Sequence, residues 1–403
     1  MDKIKLYKMI NTVQEYEWGS PTAIPELTGL DNRDNKPKAE LWMGSHGRGP
    51  SLLTDKTGEI SLLQYIQENK IDSLGKELAG LYGDLPFLFK VLAAGSPLSI
   101  QVHPDKREAM SGFARENEQG IALDAFNRNY RDDNHKPEII CALTEFWAMR
   151  GFRPIDDIIS RFEQFNLPSF AGEIEAFSGN RTSEGLEVFF SALMAMEGGR
   201  KIKFIEELID ACTGREEAEY KWVLRLYNTY REDAAIAAPL YLNLLKLNPG
   251  EALYLSAGEL HAYLDGMGME LMASSDNVLR GGLTRKYIDR KELRKIVNFQ
   301  GAKPEILKAR PDGHCIEVYD TPCREFELSR ITLNRDGDPY DTSTKGEVQI
   351  LFLTEGEAEF LSPDGEVLRA RKGESVFVPC RAVSWLVRGD AVIYRASVPK
   401  GEA

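Results

Sequence analysis

The sequence predicts a mainly β protein: two related barrels, with a block of helices inserted into the first. Three observations carry this. From about residue 85 to 149, and again from 252, short apolar or alternating runs are bounded by Gly, Pro, Asn and Asp turns. Between 154 and 243 the apolar residues recur at helical spacing instead. Finally, Gly250-Glu251-Ala252-Leu253-Tyr254-Leu255-Ser256 resembles Gly373-Glu374-Ser375-Val376-Phe377-Val378-Pro379, each a Gly-Glu turn entering a strand.

Taken in order, Pro86 to Leu92 reads as a strand closed by the Gly95-Ser96-Pro97 turn, and Leu98 to Val102 as the next. Asp105 to Gln119, rich in Arg, Glu and Ala with an acid at its start, reads as a helix. Glu138 to Leu143 and Phe146 to Met149 return to strands. Pro154-Ile155-Asp156-Asp157 then opens a helix with proline and acids in its first turn. Ile155, Ile158, Ile159 and Phe162 share a face, as do Phe189, Leu193 and Met196, then Ile205, Leu208 and Ile209, then Trp222, Leu226 and Tyr227. Strand character resumes at Ala252 to Leu255, and Asp289 to Val297 forms a short helix. From about 313, alternating strands separated by turns at 334–339 and 362–365 read as an antiparallel sandwich or barrel. The expected domains are a first barrel from residues 1–153 and 244–300, a helical insertion at 154–243, and a second barrel at 301–403.

With 403 residues the chain can bury the cores of two or three domains, and its 42% hydrophobic and 28% charged content is ordinary for a globular protein. No apolar run approaches the ~18 residues of a membrane-spanning helix. The charged start, Met1 to Lys8, lacks an apolar signal core, so a cytoplasmic protein with no membrane partner is expected. A net charge of −13 argues against nucleic acid as a partner, yet leaves room for a small anion held by a local cluster of cations. The five cysteines are widely spaced with no C-x-x-C pair, which fits reduced thiols.

The chemistry concentrates in Ser99-Ile100-Gln101-Val102-His103-Pro104-Asp105-Lys106. Gln101 and His103 lie two apart in a strand-like run, so period-2 geometry sends both to one face. His135-Lys136-Pro137-Glu138 and Gly258-Glu259-Leu260-His261 each adjoin another such run. The chain has only five histidines, and two in such settings point to a mononuclear metal site with Gln101, His103, Glu138 and His261 as ligands. The set suits zinc, one ion per chain, bound by neutral imidazoles and a carboxylate. A neutral amide at Gln101 leaves the ion a stronger Lewis acid than a second carboxylate would. Manganese and iron stay open on ligand type. The competing reading has Gln101 as a solvated strand residue and His261 as a satisfied turn histidine. Superposing the two Gly-Glu repeats puts Ser384 where the first has His261, so the second barrel is expected to bind no metal.

A second constellation follows His261. Gly266-Met267-Gly268 permits an unusual backbone, and Arg280-Gly281-Gly282-Leu283-Thr284-Arg285-Lys286 sets three cations about a Gly-Gly hinge. Such a cluster suits an anionic ligand, the alternative being a solvated basic loop.

These residues together resemble type I mannose-6-phosphate isomerases, zinc enzymes of the cupin superfamily. The resemblance begins at Tyr16-Glu17-Trp18-Gly19-Ser20 and Ala39-Glu40-Leu41-Trp42-Met43-Gly44-Ser45-His46, and continues through Phe87 to Leu92 and the Gln101/His103 motif. It runs on through Asn134-His135-Lys136-Pro137-Glu138 and Pro249 to Tyr263, and ends at Ser275 to Thr284. It implies two cupin-type (jelly-roll) barrels with a helical insertion, and zinc on Gln101, His103, Glu138 and His261. It implies further that Arg280 is the active-site arginine and that Ser99, Lys136 and Glu270 line its pocket. Two departures stand out: Gly47 follows His46 where many members have proline, and Arg285 precedes Lys286 where proline or asparagine is common.

The implied reaction interconverts mannose 6-phosphate and fructose 6-phosphate through an enediol(ate), whose oxyanion charge a metal and Arg280 can stabilise. With both histidines occupied by metal and Arg280 always charged, Glu270 and Lys136 remain as candidates for the base. Lys136 or His135 could shuttle protons in ring opening, and Ser99, His135, Arg280 and Lys286 are the expected substrate contacts. Two rival readings are a sugar-binding cupin without catalysis and a metal-dependent isomerase or epimerase of another aldose.

Overall fold

The computed structural model describes residues 5–55, 58–341, 347–363, 365–382 and 385–399. Its strand order turns on one element, the thirteen-residue strand His261–Ala273. The second half of that strand pairs with Phe87–Ala94 on one side and Glu138–Ala142 on the other. Its first half pairs instead with Phe146–Phe152, and His261 itself faces Gln101. One strand therefore belongs to two sheets. The change of sheet falls at Gly266, whose φ of 113° follows a register shift between Tyr263 and Asp265. A Cβ on Gly266 would stand 2.4 Å from the Glu145 carbonyl oxygen, and one on Gly268 2.8 Å from that of Cys141. The first glycine thus serves backbone conformation and close approach, the second close approach alone.

The first sheet continues from Phe87–Ala94 through Glu40–Met43 to Thr12–Gln14, and from Glu138–Ala142 through Glu251–Leu255 to Leu307–Lys308. Phe87–Ala94 and Glu138–Ala142 are buried along their whole length. The second sheet adds Ile100–Val102 and Leu279–Gly282 on one side and Leu242–Leu247 on the other. Arg280 thus lies on a short strand facing Gln101, where the sequence places a loop, and the Gly-Gly hinge appears as a bulge between Arg280 and Gly282.

The helical block is an excursion between neighbouring strands, because Phe146–Phe152 and Leu242–Leu247 pair antiparallel from Phe152 with Leu242 to Phe146 with Leu247. Ile155–Glu163, Ala171–Gly179, Ser183–Met194, Gly198–Cys212 and Ala218–Thr229 are its main helices. Their buried faces are those read from spacing: Ile158, Ile159 and Phe162, then Phe189 and Leu193, Leu208, Trp222 and Leu226. They share one core with Ile100, Val102 and Leu279 of the second sheet. Helix starts also follow the sequence. Asp105 forms a capping box with Glu108 ahead of Lys106–Glu118, and Asp289 caps Arg290–Ile296. No helix among the described residues is long and apolar enough to cross a membrane.

The C-terminal residues form the antiparallel array expected after 313, centred on Gln349–Leu361 and Leu386–Ser397. Tyr7–Ile10 joins this array through Ser375–Val378 and carries Leu52–Asp55 with it. Strands from both ends of the chain therefore share a sheet, and the division drawn at residue 301 runs through it. The array packs Phe326, Ile350, Phe352 and Tyr394 against Phe89, Cys141, Met269 and Leu271 of the first sheet in one core. The two arrays also echo each other in register. Leu255 faces Glu138 in one and Val378 faces Gln349 in the other, so Gln349 occupies the place of Glu138. Ser384 lies outside the described residues.

Gly266→Ala is expected to destabilise the protein by at least ~1–3 kcal/mol, since it adds a Cβ at positive φ against backbone. Gly172, in a helix with open space about it, is the control: Gly172→Ala is expected to be neutral or slightly stabilising. Chemical unfolding curves of the two variants check both.

Candidate metal centre and the cleft around it

Three buried donors converge between the two sheets. Glu138 opens a strand of the first sheet, His261 opens the shared strand, and His103 follows Ile100–Val102 of the second sheet. Nε2 of His103 lies 3.4 Å from Oε1 of Glu138, and Nε2 of His261 lies 3.5 Å from Oε2. Ligand atoms on a tetrahedral ion with bonds of 2.0–2.2 Å stand about 3.4 Å apart, so these separations are those a small ion requires. Each imidazole is held from behind: Nδ1 of His103 donates to the Asn277 carbonyl at 2.7 Å, and Nδ1 of His261 to the Glu259 carbonyl at 2.9 Å. Those bonds turn the Nε2 lone pairs toward Glu138. Nε2 of His103 is buried with no hydrogen-bond partner, an arrangement that fits a metal ligand and not a packed core.

Protonation states agree with the geometry. Burial, then Lys136, lowers His103 to about 4, so its ring is neutral at neutral pH. Burial would raise Glu138, but Lys136 and the two imidazoles hold its carboxyl well below the usual range. Neutral imidazole and ionised carboxylate are the forms that ligate metal. Gln101 faces both His261 and Arg280 across the sheet, and directly opposed residues present their side chains to one side. The half-buried Ser99 lies two residues before Gln101.

Beside the triad runs a file of buried charge. Nζ of Lys136 bonds Oε1 of Glu138 at 2.8 Å. Nζ of Lys90 bonds Oε2 of Glu270 at 2.8 Å and lies 3.8 Å from Glu40, which accepts the Trp42 indole N–H at 2.6 Å. Burial raises the Glu270 carboxyl, with Lys90 opposing it. The sequence reading passes over Lys90 and Glu40. A lone lysine inside Phe87-Leu88-Phe89-Lys90-Val91-Leu92 was the available signal, since a wholly buried strand tolerates a cation only where it is paired.

Arg280, opposite Gln101, stands in a cluster of cations with Arg131 and Lys286. Burial, then Arg131, lowers the Arg280 guanidinium, while burial, then Arg280 and Arg131, lowers Lys286. None of the three makes an ion pair with a carboxylate among the described residues, which leaves them to an anion. Arg131 was not foreseen; Arg280 is half-buried, whereas Arg131, Arg285 and Lys286 are exposed. His135 has its Nε2 engaged by Glu325 at 2.6 Å.

Residues 6–155 match the phosphomannose isomerase type I catalytic domain. The chain is 40% identical to the mannose-6-phosphate isomerase of Escherichia coli (strain K12) over 392 residues, covering 97% of this chain and 99% of that one. A solved mutant phosphomannose isomerase from Salmonella typhimurium matches with a TM-score of 0.92 at 39% identity, covering 98% of this chain and 99% of that one. A zinc-bound mannose 6-phosphate isomerase structure matches with 0.91 at 40% identity over the same shares. The chain belongs to the type I phosphomannose isomerase family.

Proposed function

We propose that this protein is a zinc-dependent aldose–ketose isomerase that interconverts mannose 6-phosphate and fructose 6-phosphate. The observation that carries the reading is the His103–Glu138–His261 triad, spaced for an ion and set beside buried lysine–glutamate pairs and unpaired cations. In this reading His103, Glu138, His261 and Gln101 hold one zinc, which supplies a Lewis acid for polarising the sugar oxygens. Arg280, with Arg131 and Lys286 beside it, takes the negative charge of the substrate. Isomerisation moves a proton between neighbouring carbons through an enediol(ate). Glu270 and Lys136 are the candidates to carry it, each already sharing a hydrogen with a buried partner, Lys90 and Glu138 respectively. Ser99 and His135 line the approach. The architecture is read as two cupin-type barrels, the first from 1–153 and 244–300 and the second from 301–403, with Tyr7–Ile10 and Leu52–Asp55 lent to the second and the insertion at 154–243 walling the first. The reading is of a cytoplasmic enzyme, with a phosphosugar and not nucleic acid as its partner.

Isomerisation measured in a coupled assay is expected to vanish on chelation and return with zinc. Elemental analysis is expected to give about one ion per chain, because Gln349 stands where Glu138 stands in the first array. His103→Ala should lose metal and activity together. Full turnover in metal-free protein, or two tightly held ions, refutes the assignment.

Arg280→Ala leaves every proposed ligand in place, so zinc content should hold. If the guanidinium chiefly stabilises charge that develops during proton transfer, kcat should fall by about 10²–10³ with KM moving much less. A raised KM at constant kcat would assign Arg280 to the ground-state phosphate instead.

A further inference from the structure

We propose that Glu325, from the C-terminal part of the chain, is a positioning residue that fixes the loop 131–137 through His135. This deepens the reading above, in which the loop brings Lys136 to Glu138. The loop has no regular structure, so its shape depends on side-chain anchors. One flank is fixed by Asn277, whose Oδ1 accepts the Arg131 and Asp132 amides at 2.7 and 3.2 Å and whose Nδ2 donates to the Asp132 and Asn134 carbonyls, both at 2.8 Å. That anchor belongs to the segment between the shared strand and Arg280.

The other flank is fixed from outside the metal-bearing sheets. Oε1 of Glu325 takes Nε2 of His135 at 2.6 Å, and its Oε2 takes the Cys323 thiol at 3.2 Å. The next residue, Phe326, is fully buried in the core shared by the two arrays. The carboxylate is therefore held by packing rather than left on a free surface. Burial would raise Glu325, but His135 and Cys323 bring it to about 2, so the anchor is ionised. His135 immediately precedes Lys136, so this bond sets where the Lys136 ammonium begins its reach to Glu138. The C-terminal part of the chain thereby completes a site whose proposed metal ligands all lie on or beside the two sheets that share His261–Ala273.

The test uses the full-length zinc enzyme and two readouts. Glu325→Ala is expected to lower kcat/KM about tenfold or more, the scale on which small misplacements act. It should retain its zinc, and hydrogen exchange of amides 131–136 should rise. Glu325→Gln still offers an oxygen to Nε2–H, so both readouts should stay near those of the unmutated protein. Glu325→Ala combined with His135→Ala should be no worse than His135→Ala alone, because the carboxylate acts through the imidazole. Three results would overturn the proposal: unchanged exchange and kcat/KM in Glu325→Ala, additive losses in the double variant, or a Glu325→Gln variant that loses activity with its loop exchange unchanged. The exchange readout stands whatever the substrate is. An unmutated protein that fails to isomerise mannose 6-phosphate would sink the functional reading without touching this one.

Discussion

A carboxylate withdrawn from water must be surrounded by compensating charge, and Glu138 is the point about which that requirement organises this molecule. It is only 3% exposed. One oxygen faces His103 and Lys136 and the other faces His261. Bare burial of such a group would push it toward the neutral form. The cation of Lys136 keeps it ionised, and burial together with that same cation keeps the His103 imidazole neutral. One local balance thus produces the donor set a divalent ion needs. Lys90 with Glu270 and Glu40 solves the same problem one step along the strand, so the charges form a file in which each has a partner.

The scaffold brings these groups together by sharing a strand. His261–Ala273 begins in one sheet with His261 and ends in the other beside Glu138, and Glu270 is part of the same strand. Glu138 and His261, each the first residue of a paired strand, are held with less freedom than ligands on loops would be. The bend at Gly266 is the condition for this, because a straight strand would keep its two halves in one sheet. The helical block packs against the back of the second sheet through Ile100, Val102 and Leu279, which brace the strands carrying Gln101 and Arg280. Its large apolar core therefore bears on the cleft without contributing a donor to the triad.

Local structure was legible in the order of residues. Asp105 and Asp289 announced their helices by capping chemistry, the inner faces of the insertion followed from period 3.6, and the His, Glu and Gln motifs stood out because polar ligands are rare beside apolar strands. Those signals act over a few residues and survive in any context. Which distant segments meet emerged only in the folded molecule. Arg280 became a strand residue because Ile100–Val102 offered it an edge to pair with, although Gly281 and Gly282 argued for a loop. Tyr7–Ile10 crossed to the C-terminal array because its partner, Ser375–Val378, lies at the other end of the chain. Glu40 and Arg131 gained meaning only once their neighbours were known, and Glu325 found His135 across 190 residues. Strand pairing and charge pairing are set by proximity in space, and periodicity within a segment carries no record of it.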